Sequence, residues 1–522
     1  MSADLALINA NIRTMNTIQP VAEAVAIRKN KIIKVGTKKE IRQLIGKNTT
    51  VLSLNGKTVF PGLIDTHIHV ADFGRCLLWL DFARAGSIKE LQSLLKERTK
   101  RTSGGHWVIG RGWNQNRFKE ERLPNLFDLD EAAPDNPVIL YHESAMICVV
   151  NSKALSLAGV NEQTTVPVGG TIDKNPQTGE LTGILRDSAT NIVWQAVPQP
   201  TENELLDATV LACQKIAEAG VTSVHWLVLS KNELPIIQKL HAEGKLIVRV
   251  NVIVPEVLLK DTTDFKSTNS LMLHVSGAVI TTDGYLDSKT AALLQPYSDE
   301  PKNSGRLFCT QQAMAASITQ VLAAGLQPVI HAMGDKAIET ALNVIERTQK
   351  QAATEPVRFR IEQAAVLNKE LIKRLKSQEI VVTVQPTVIA TEFAVWSATE
   401  HLGIERAKWL HPLKTLIKEG VKIAGGSDCP MEPLNPLLGV QEAVLREKFH
   451  EQRLSVEEAL RMYTTDAAYS SGEENIKGSI EDGKLADFTI LSDDPLTIPS
   501  NKINDIKIEI VIIDGVIVYS KH

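Results

Sequence analysis

The chain has 522 residues, of which 43% are hydrophobic and 23% are charged, and these are the proportions of a soluble globular protein. This length exceeds one ordinary core, so we expect two or three domains unless a large barrel takes most of the chain. The formal net charge of -4 and the pI near 6.3 argue against nucleic acid as the main partner and favour a small molecule.

The cysteines and the first residues indicate a reduced, cytoplasmic protein. The five cysteines are scattered without a Cys-x-x-Cys pair, which favours neither a disulfide framework nor a thiolate zinc site. The start, Met-Ser-Ala-Asp, lacks the basic and apolar regions of a signal peptide, and no run of about 18 apolar residues occurs. We expect no membrane partner. We also expect a homodimer, but only because dimers are the most frequent oligomers.

The two ends of the chain share a pattern of short strands and tight turns. Asn55-Gly56 predicts a two-residue hairpin, Lys29-Asn30 a weaker one, and Asp514-Gly515 a third near the C-terminus. Because two or three uncovered strands are only marginally stable, we expect residues 1–60 and 474–522 to pack together as one small β-sandwich domain.

The middle of the chain, residues 61–473, alternates short apolar strands with helical patterns, which is typical of parallel β/α units. The predicted strands are Leu63–His69, Val221–Trp226, Ile247–Val254, Val275–Thr281, Pro328–His331, Arg358–Glu362, Val381–Val384 and Val421–Ala424. Eight such strands predict a closed, TIM-like (β/α)8 barrel, which is an α/β fold. The long gap at 75–200 predicts a subdomain inserted after strand one, and the loops that follow barrel strands build the pocket.

The end of the first barrel strand, Ile64-Asp65-Thr66-His67-Ile68-His69, carries two histidines at alternating positions. Strand side chains repeat every two residues, so His67 and His69 lie on the same face. Two imidazoles at one strand end can hold a metal ion, although isolated histidines are more often surface or hydrogen-bonded core residues.

Ligand-type residues occur at several other predicted strand ends. His331 ends strand five and Asp428 follows strand eight, so we take both as candidates for metal binding and catalysis. The alternative interpretations are a hydrogen-bonded core histidine for His331 and a turn cap for Asp428. The remaining candidates for orienting the ligands or contacting substrate are His225, Asp283, Asp335, Glu362 and Gln363. Two of these have equally strong structural alternatives: His225 as ordinary barrel filling, and Asp335 as a residue favoured by the dipole of a first helical turn.

Several segments together resemble the metal-dependent amidohydrolase superfamily, in the branch of YtcJ-like and N-substituted formamide deformylase-like proteins. The matching segments are Phe-Pro-Gly-Leu-Ile-Asp-Thr-His-Ile-His at 60–69, Gly-Arg-Gly-Trp-Asn-Gln around Trp113, Val-Asn-Ser-Lys-Ala-Leu at 150–155, Thr-Thr-Asp-Gly at 281–284, His-Ala-Met-Gly-Asp at 331–335, Arg-Ile-Glu at 360–362 and Gly-Gly-Ser-Asp-Cys-Pro at 425–430. The resemblance covers nearly the whole chain and implies a metal-binding barrel with a composite β-sandwich. Trp113 and Arg186, in the predicted insertion, are weaker candidates for substrate contact, because such residues are more often packed or solvated.

Two positions depart from that family pattern. The family has a strand-four lysine that bridges two metals, where this chain has Val279, and a histidine after Arg-Ile-Glu, where it has Gln363. Two divalent ions with neutral histidines and one carboxylate would leave an excess of about three positive charges, whereas one ion with Asp428 and a hydroxide is neutral. We therefore predict one ion, bound by His67, His69, His331 and Asp428; nitrogen and oxygen ligands favour zinc, with iron or manganese as alternatives.

The function expected from these residues is metal-dependent hydrolysis of a non-peptide carbon–nitrogen bond, an amide or a cyclic amidine, in a small molecule. One alternative is deamination of an aminated heterocycle, since deaminase relatives use one metal with this ligand set. The other alternative is a catalytically inactive binding or regulatory protein, because the changes at Val279 and Gln363 remove parts of the usual metal site.

Overall fold

The computed structural model describes residues 2–144, 146–167, 169–267, 270–351 and 357–521, with the backbone alone at 263–267 and 351. The chain forms two compact units. One unit comprises Met1–Phe73 and Thr209–His522, and the other comprises Gly74–Ala208. The second unit contains the region for which an insertion at 75–200 was predicted.

The first unit contains an eight-stranded parallel sheet, which confirms the predicted barrel. Its strands, in chain order, are Leu63–Ile68, Val221–Leu227, Arg249–Pro255, Leu273–Thr281, Gln327–Ala332, Arg360–Gln363, Val381–Val384 and Ile423–Gly425, hereafter barrel strands one to eight. Every strand except strand four is buried along most of its length, as expected for a parallel sheet covered by helices.

The barrel closes through the loop that follows strand eight. The backbone N–H of Asp428 donates to the carbonyl of His67 at 2.7 Å, and the N–H of His69 donates to the carbonyl of Cys429 at 3.0 Å. A Cβ at Gly426 would lie 2.6 Å from the backbone nitrogen of His67, so the approach requires glycine. This pairing holds Asp428 beside the two histidines of strand one.

Two further sheets of the first unit are built from the chain ends. The strands of the four-stranded sheet are Leu5–Ile8, Ala24–Arg28, Lys31–Gly36 and Thr50–Ser53; those of the six-stranded sheet are Asn11–Arg13, Val21–Ala22, Thr58–Pro61, Phe488–Leu491, Ile508–Ile513 and Val516–Ser520. Leu7 and Val25 of the first sheet share a buried core with Ile12, Phe488 and Ile512 of the second. Residues from both ends of the chain therefore form one hydrophobic core.

The turn predictions had different outcomes. Antiparallel pairing of Arg28 with Lys31 and of Ile513 with Val516 confirms the hairpins at Lys29-Asn30 and Asp514-Gly515. The hairpin predicted at Asn55-Gly56 is wrong, because the strands on its two sides belong to different sheets. The turn is present, with Asn55 at φ 51°, but it redirects the chain from one layer to the other.

Helices cover the strands, and many begin with a side-chain cap. Thr310, Asn368 and Ser455 each accept a hydrogen bond from a backbone N–H of the helix that follows. The α-helices are Lys38–Arg42, Val70–Leu78, Ile88–Thr99, Leu126–Ala132, Ser152–Leu157, Thr190–Trp194, Glu202–Glu218, Glu233–Ala242, Gln311–Ala323, Asp335–Gln351, Lys369–Ser377, Pro386–Ala394, Ala398–Leu402, Ile404–Ala407, Leu413–Lys418, Pro436–Leu445, Val456–Met462 and Thr465–Ser470; the 3-10 helices are Gln115–Arg117, Glu256–Ser267, His450–Gln452 and Ser500–Asp505. Within the described ranges, none of these helices has the length and apolarity needed to span a bilayer.

The second unit has its own six-stranded sheet. The strands are Leu80–Asp81, Val108–Trp113, Val138–His142, Ile147–Val150, Gly170–Lys174 and Leu181–Asp187. Trp113 and Leu140 of this sheet pack in a core with Leu91 and Leu95 of the helix Ile88–Thr99. The unit thus buries a hydrophobic core of its own.

A buried ion-pair cluster joins barrel strand three to the C-terminal strands. The guanidinium of Arg249 donates to Asp487 at 2.6 and 2.9 Å and to Asp514 at 2.8 Å. The Arg249 and Asp487 side chains are almost inaccessible to solvent. The cluster fixes the sandwich against the base of the barrel.

Replacing Arg249 with methionine should lower the free energy of unfolding by about 3 kcal/mol, because it leaves the Asp487 carboxylate buried without its partner. Urea denaturation of the two proteins measures the difference. Lys502→Met, which removes one member of an exposed ion pair, is the control and should change stability by less than about 1 kcal/mol. Equal effects of the two substitutions would contradict this role for Arg249.

Candidate metal centre

Three predicted ligands converge at the carboxyl ends of barrel strands one and eight. His67 Nε2 lies 3.5 Å from Asp428 Oδ1, and His69 Nε2 lies 3.3 Å from the same oxygen. Ligand-capable atoms of His67, His69 and Asp428 all lie within 4.8 Å of one another. The group presents two imidazole nitrogens and one carboxylate to a common point.

The opposite nitrogen of each imidazole is held by a hydrogen-bond acceptor. His67 Nδ1 lies 2.6 Å from Glu362 Oε2, and His69 Nδ1 lies 3.1 Å from the carbonyl oxygen of Leu227. Neither a carboxylate nor a carbonyl can donate, so in both rings Nδ1 carries the proton. Both Nε2 lone pairs are therefore directed at the common point, as in histidine metal sites.

Glu362 is a fully buried carboxylate at the end of barrel strand six. Burial raises its pKa, but the Arg360 guanidinium and His67 outweigh burial and lower the pKa to about 2. Arg360 forms an ion pair with Glu362, and the Thr383 hydroxyl donates to it. Glu362 is therefore ionised and supplies a fixed negative charge behind His67.

His331, the third predicted histidine ligand, ends barrel strand five. Its Nε2 is buried and has no hydrogen-bond partner among the described residues. Burial, reinforced by the charge of His67, lowers the pKa of His331 to about 4, although the charges of Glu362 and Asp428 oppose this shift. His331 is not among the residues whose ligand atoms lie within 4.8 Å of one another, but a neutral imidazole with an unused, buried nitrogen meets the electronic requirement for a ligand.

Asp428 and Gln363 complete the polar face of the site. Burial raises the pKa of Asp428, but His67 and His69 outweigh burial and lower it, so Asp428 is a carboxylate at neutral pH. Gln363 Nε2 donates to Asp428 Oδ2 at 3.4 Å, and Gln363 Oε1 is buried with no partner in the described part of the chain. Both residues have left-handed backbone, at φ 59° and 70°, a strained conformation for residues other than glycine that is frequent at functional sites.

Apolar side chains surround Val279, the position at which the family resemblance implied a bridging lysine. Val279 packs against Leu227, Ile253 and Val329, so that barrel strands two to five each contribute one member. None of these side chains can bind a cation. Their packing favours the prediction of one ion over two.

Three other predicted residues make structural contacts. The Asp283 carboxylate accepts hydrogen bonds from the backbone of Ala292, Met333 and Gly334. Asp335 accepts from the backbone of Leu294 and Lys336, and His225 Nδ1 accepts from Arg360 at 2.7 Å. Burial raises the pKa of Asp283 to about 6, and burial and Arg360 lower that of His225 well below its usual value.

The two candidates in the insertion also have partners within their own unit. Trp113 is fully buried and donates from its indole nitrogen to the carbonyl of Leu140 at 2.9 Å. Arg186 forms an ion pair with Asp173 at 2.7 Å. Packing therefore explains the position of Trp113, and the ion pair explains that of Arg186.

Reasoning from the sequence missed two residues that build the site, Asp65 and Arg360. Asp65 Oδ1 accepts from the backbone N–H of His67 at 3.1 Å and of Ser427 at 2.9 Å, which ties strand one to the loop after strand eight. Arg360 links Glu362 to His225. Both occur in matched motifs, and Arg360 alternates with Glu362 on one strand face, a signal that could have identified it.

A divalent ion is compatible with this donor set. Two oriented Nε2 atoms and a carboxylate converge, and the buried Nε2 of His331 has no hydrogen-bond partner within the ranges that the structure describes. Nitrogen and oxygen donors without thiolate are those of zinc hydrolase sites, and they also accommodate iron or manganese.

Comparison with known proteins gives consistent matches. Residues 50–519 match a family model described as an amidohydrolase family. The chain is 33% identical over 514 residues to YtcJ of Bacillus subtilis, a protein named as an amidohydrolase, with 96% of each chain covered. It is 26% identical over 544 residues to the N-substituted formamide deformylase of Arthrobacter pascens, covering 99% of this chain and 98% of that protein.

A solved structure agrees with these sequence matches. An uncharacterized metal-dependent hydrolase from Pyrococcus furiosus superposes with a TM-score of 0.79 at 28% identity, covering 94% of this chain and 100% of that chain. The similarity therefore extends over the barrel, the sandwich and the insertion.

Proposed function

The chain belongs to the amidohydrolase family, and from that premise we propose that it hydrolyses a non-peptide carbon–nitrogen bond, in an amide or cyclic amidine of a small molecule, with one divalent ion. The observation that carries the proposal is the convergence of His67 Nε2 and His69 Nε2 on Asp428 Oδ1, at 3.5 and 3.3 Å. We propose zinc as the ion and His331 as a further ligand.

The proposed ion supplies one part of the chemistry, and the protein side chains supply the rest. A divalent ion supplies the positive charge that makes water a nucleophile near neutral pH. Glu362 and the Leu227 carbonyl keep the proton of each imidazole on Nδ1, so that both Nε2 atoms remain available to the ion. The apolar cluster around Val279 supports a site for one ion only.

Asp428 is the proposed general base. Its carboxylate is ionised at neutral pH because of His67 and His69, so an Oδ atom can take the proton of the attacking water and return it to the leaving amine. Gln363 holds Oδ2 at 3.4 Å and, being neutral, contributes a hydrogen bond and no proton. Its amide supports the developing oxyanion less strongly than an imidazolium would.

The names of relatives favour an amide as the substrate. The relative from Arthrobacter pascens is named as a deformylase of N-substituted formamides, and the match spans nearly the full length of both proteins. We infer by this similarity that the present chain acts on a small neutral amide. Fold similarity alone would not support this step, since one barrel hosts many reactions.

Metal analysis of the purified protein should find close to one zinc, iron or manganese ion per chain. His67→Ala and His69→Ala should each reduce the content to near zero, because each removes one of the converging nitrogens. His450→Ala, at an exposed histidine, is the matched control and should retain the ion. Two tightly held ions per chain would contradict the proposed stoichiometry.

A substrate panel tests the reaction. N-substituted formamides, cyclic amidines, aminated heterocycles and dipeptides are incubated with metal-loaded protein, and amine or ammonia release is measured. Turnover confined to amides or amidines supports the proposal. Ammonia release from heterocycles would show a deaminase, dipeptide cleavage a peptidase, and binding without turnover of any compound an inactive relative.

A further inference from the structure

Four apolar side chains are exposed on loops that follow three different barrel strands, at the end of the barrel that carries the metal centre. The exposed fractions are 58% for Leu229, 53% for Tyr285, 48% for Phe308 and 70% for Met431. We call these four residues the apolar rim. Exposed apolar groups that adjoin a polar centre are typical of ligand-binding clefts.

Tyr285 connects the rim to His331, the proposed ligand on strand five. Its ring centroid lies 5.2 Å from that of His331. The side chain therefore offers an aromatic surface beside His331.

Phe308 lies on the same loop as Tyr285, after barrel strand four. Its backbone N–H donates to the carbonyl of Thr282 at 2.8 Å, and a Cβ on Gly284 would lie 3.3 Å from Phe308 Cζ. The Arg306 guanidinium lies 5.4 Å from the Phe308 ring centroid, yet about half of the side chain stays exposed. These contacts hold Phe308 against Thr282 and Gly284, at the start of the loop that also carries Tyr285.

Leu229 and Met431 place apolar groups near the other ligands. Leu229 follows Leu227, whose carbonyl holds His69 Nδ1 at 3.1 Å. Met431 donates its backbone N–H to the carbonyl of Asp428 at 2.9 Å. The backbone of each residue is therefore within two or three positions of a group that orients or forms the metal centre.

We propose that the apolar rim binds a hydrocarbon substituent of the substrate, next to the amide that the metal centre cleaves. This inference rests on the proposed function and specifies its substrate class as a neutral amide with an apolar substituent of several carbons. The occupant is a small molecule because Tyr285 lies against His331 through a ring contact, and Leu229 and Met431 are joined to groups of the centre by short backbone connections. The rim binds the substituent by removing apolar surface from water.

Straight-chain hydroxamic acids, from acetohydroxamic to octanohydroxamic acid, are the probes. The hydroxamate group binds a metal ion, so its affinity for the zinc-loaded protein requires no turnover. Because a buried methylene contributes about 0.8 kcal/mol, Kd measured by calorimetry should fall about twofold to fourfold per added methylene until the rim is covered. Leu229→Ser and Met431→Ser together should at least halve the slope of log Kd against chain length.

Val516→Ser is the matched control, since Val516 is an exposed apolar residue of the sandwich, at 62%, and its loss should leave the slope unchanged. A wild-type slope below about 1.3-fold per methylene, no binding of any hydroxamate, or a slope unchanged in the rim variant would overturn the inference. A steep slope in a protein that hydrolyses no amide would contradict the proposed function alone. Amide hydrolysis with a flat slope would contradict the rim alone.

Discussion

Replacing Asp428 with asparagine is expected to lower turnover at least about a thousandfold while leaving the fold intact. The substitution removes the negative charge near His67 and His69, at 3.5 and 3.3 Å from their Nε2 atoms. It also removes the proposed base, and an amide cannot take the proton of the attacking water. The variant should therefore bind the ion more weakly and should also lack the proton acceptor.

Steady-state rates on an amide that the wild type hydrolyses measure this loss, with metal content determined on the same samples. Asp482→Asn, at a half-exposed carboxylate paired with Lys34, is the control and should retain wild-type rates. Circular dichroism and the Tm establish that the Asp428 variant is folded. A folded, metal-loaded Asp428→Asn protein with more than a tenth of wild-type activity would eliminate Asp428 as the base.

The fold was predictable because its signals are local and repeated. Most barrel strands are short apolar runs, and the end of strand one carries its alternating histidines within a few residues. Asn55-Gly56 shows the limit of local signals, because the same turn can join paired strands or strands of two sheets. Pairing depends on partners hundreds of residues away, such as the contact of Thr58 with Leu491.

The site was predictable in its residue types and less so in its contacts. His67, His69 and Asp428 stand at strand ends, and a closed barrel brings strands one and eight together. Whether a polar residue at a strand end faces the centre or holds a loop depends on its rotamer and on neighbouring backbone, so Asp283 could not be assigned. The contact of His67 with Glu362 joins residues 295 positions apart and follows only from the three-dimensional packing.

Glu362→Gln is expected to lower metal affinity tenfold to a hundredfold and stability by about 3 kcal/mol. The carboxylate fixes the proton of His67 on Nδ1. A glutamine amide can instead point its N–H at Nδ1, which favours the tautomer with the proton on Nε2 and removes the lone pair that would bind the ion. The substitution also leaves the Arg360 guanidinium fully buried without its ion pair. Zinc titration and urea denaturation measure the two effects separately.

A second variant separates the two causes. In Glu362→Leu with Arg360→Met, the buried charges disappear together, so most of the lost stability should return, as when other buried ion pairs are replaced by apolar residues. Metal affinity should stay low, because His67 Nδ1 still lacks the acceptor that lies at 2.6 Å in the native chain. Recovery of both quantities would assign Glu362 to balancing Arg360 alone. Recovery of stability without recovery of metal affinity would assign it also to orienting the ligand.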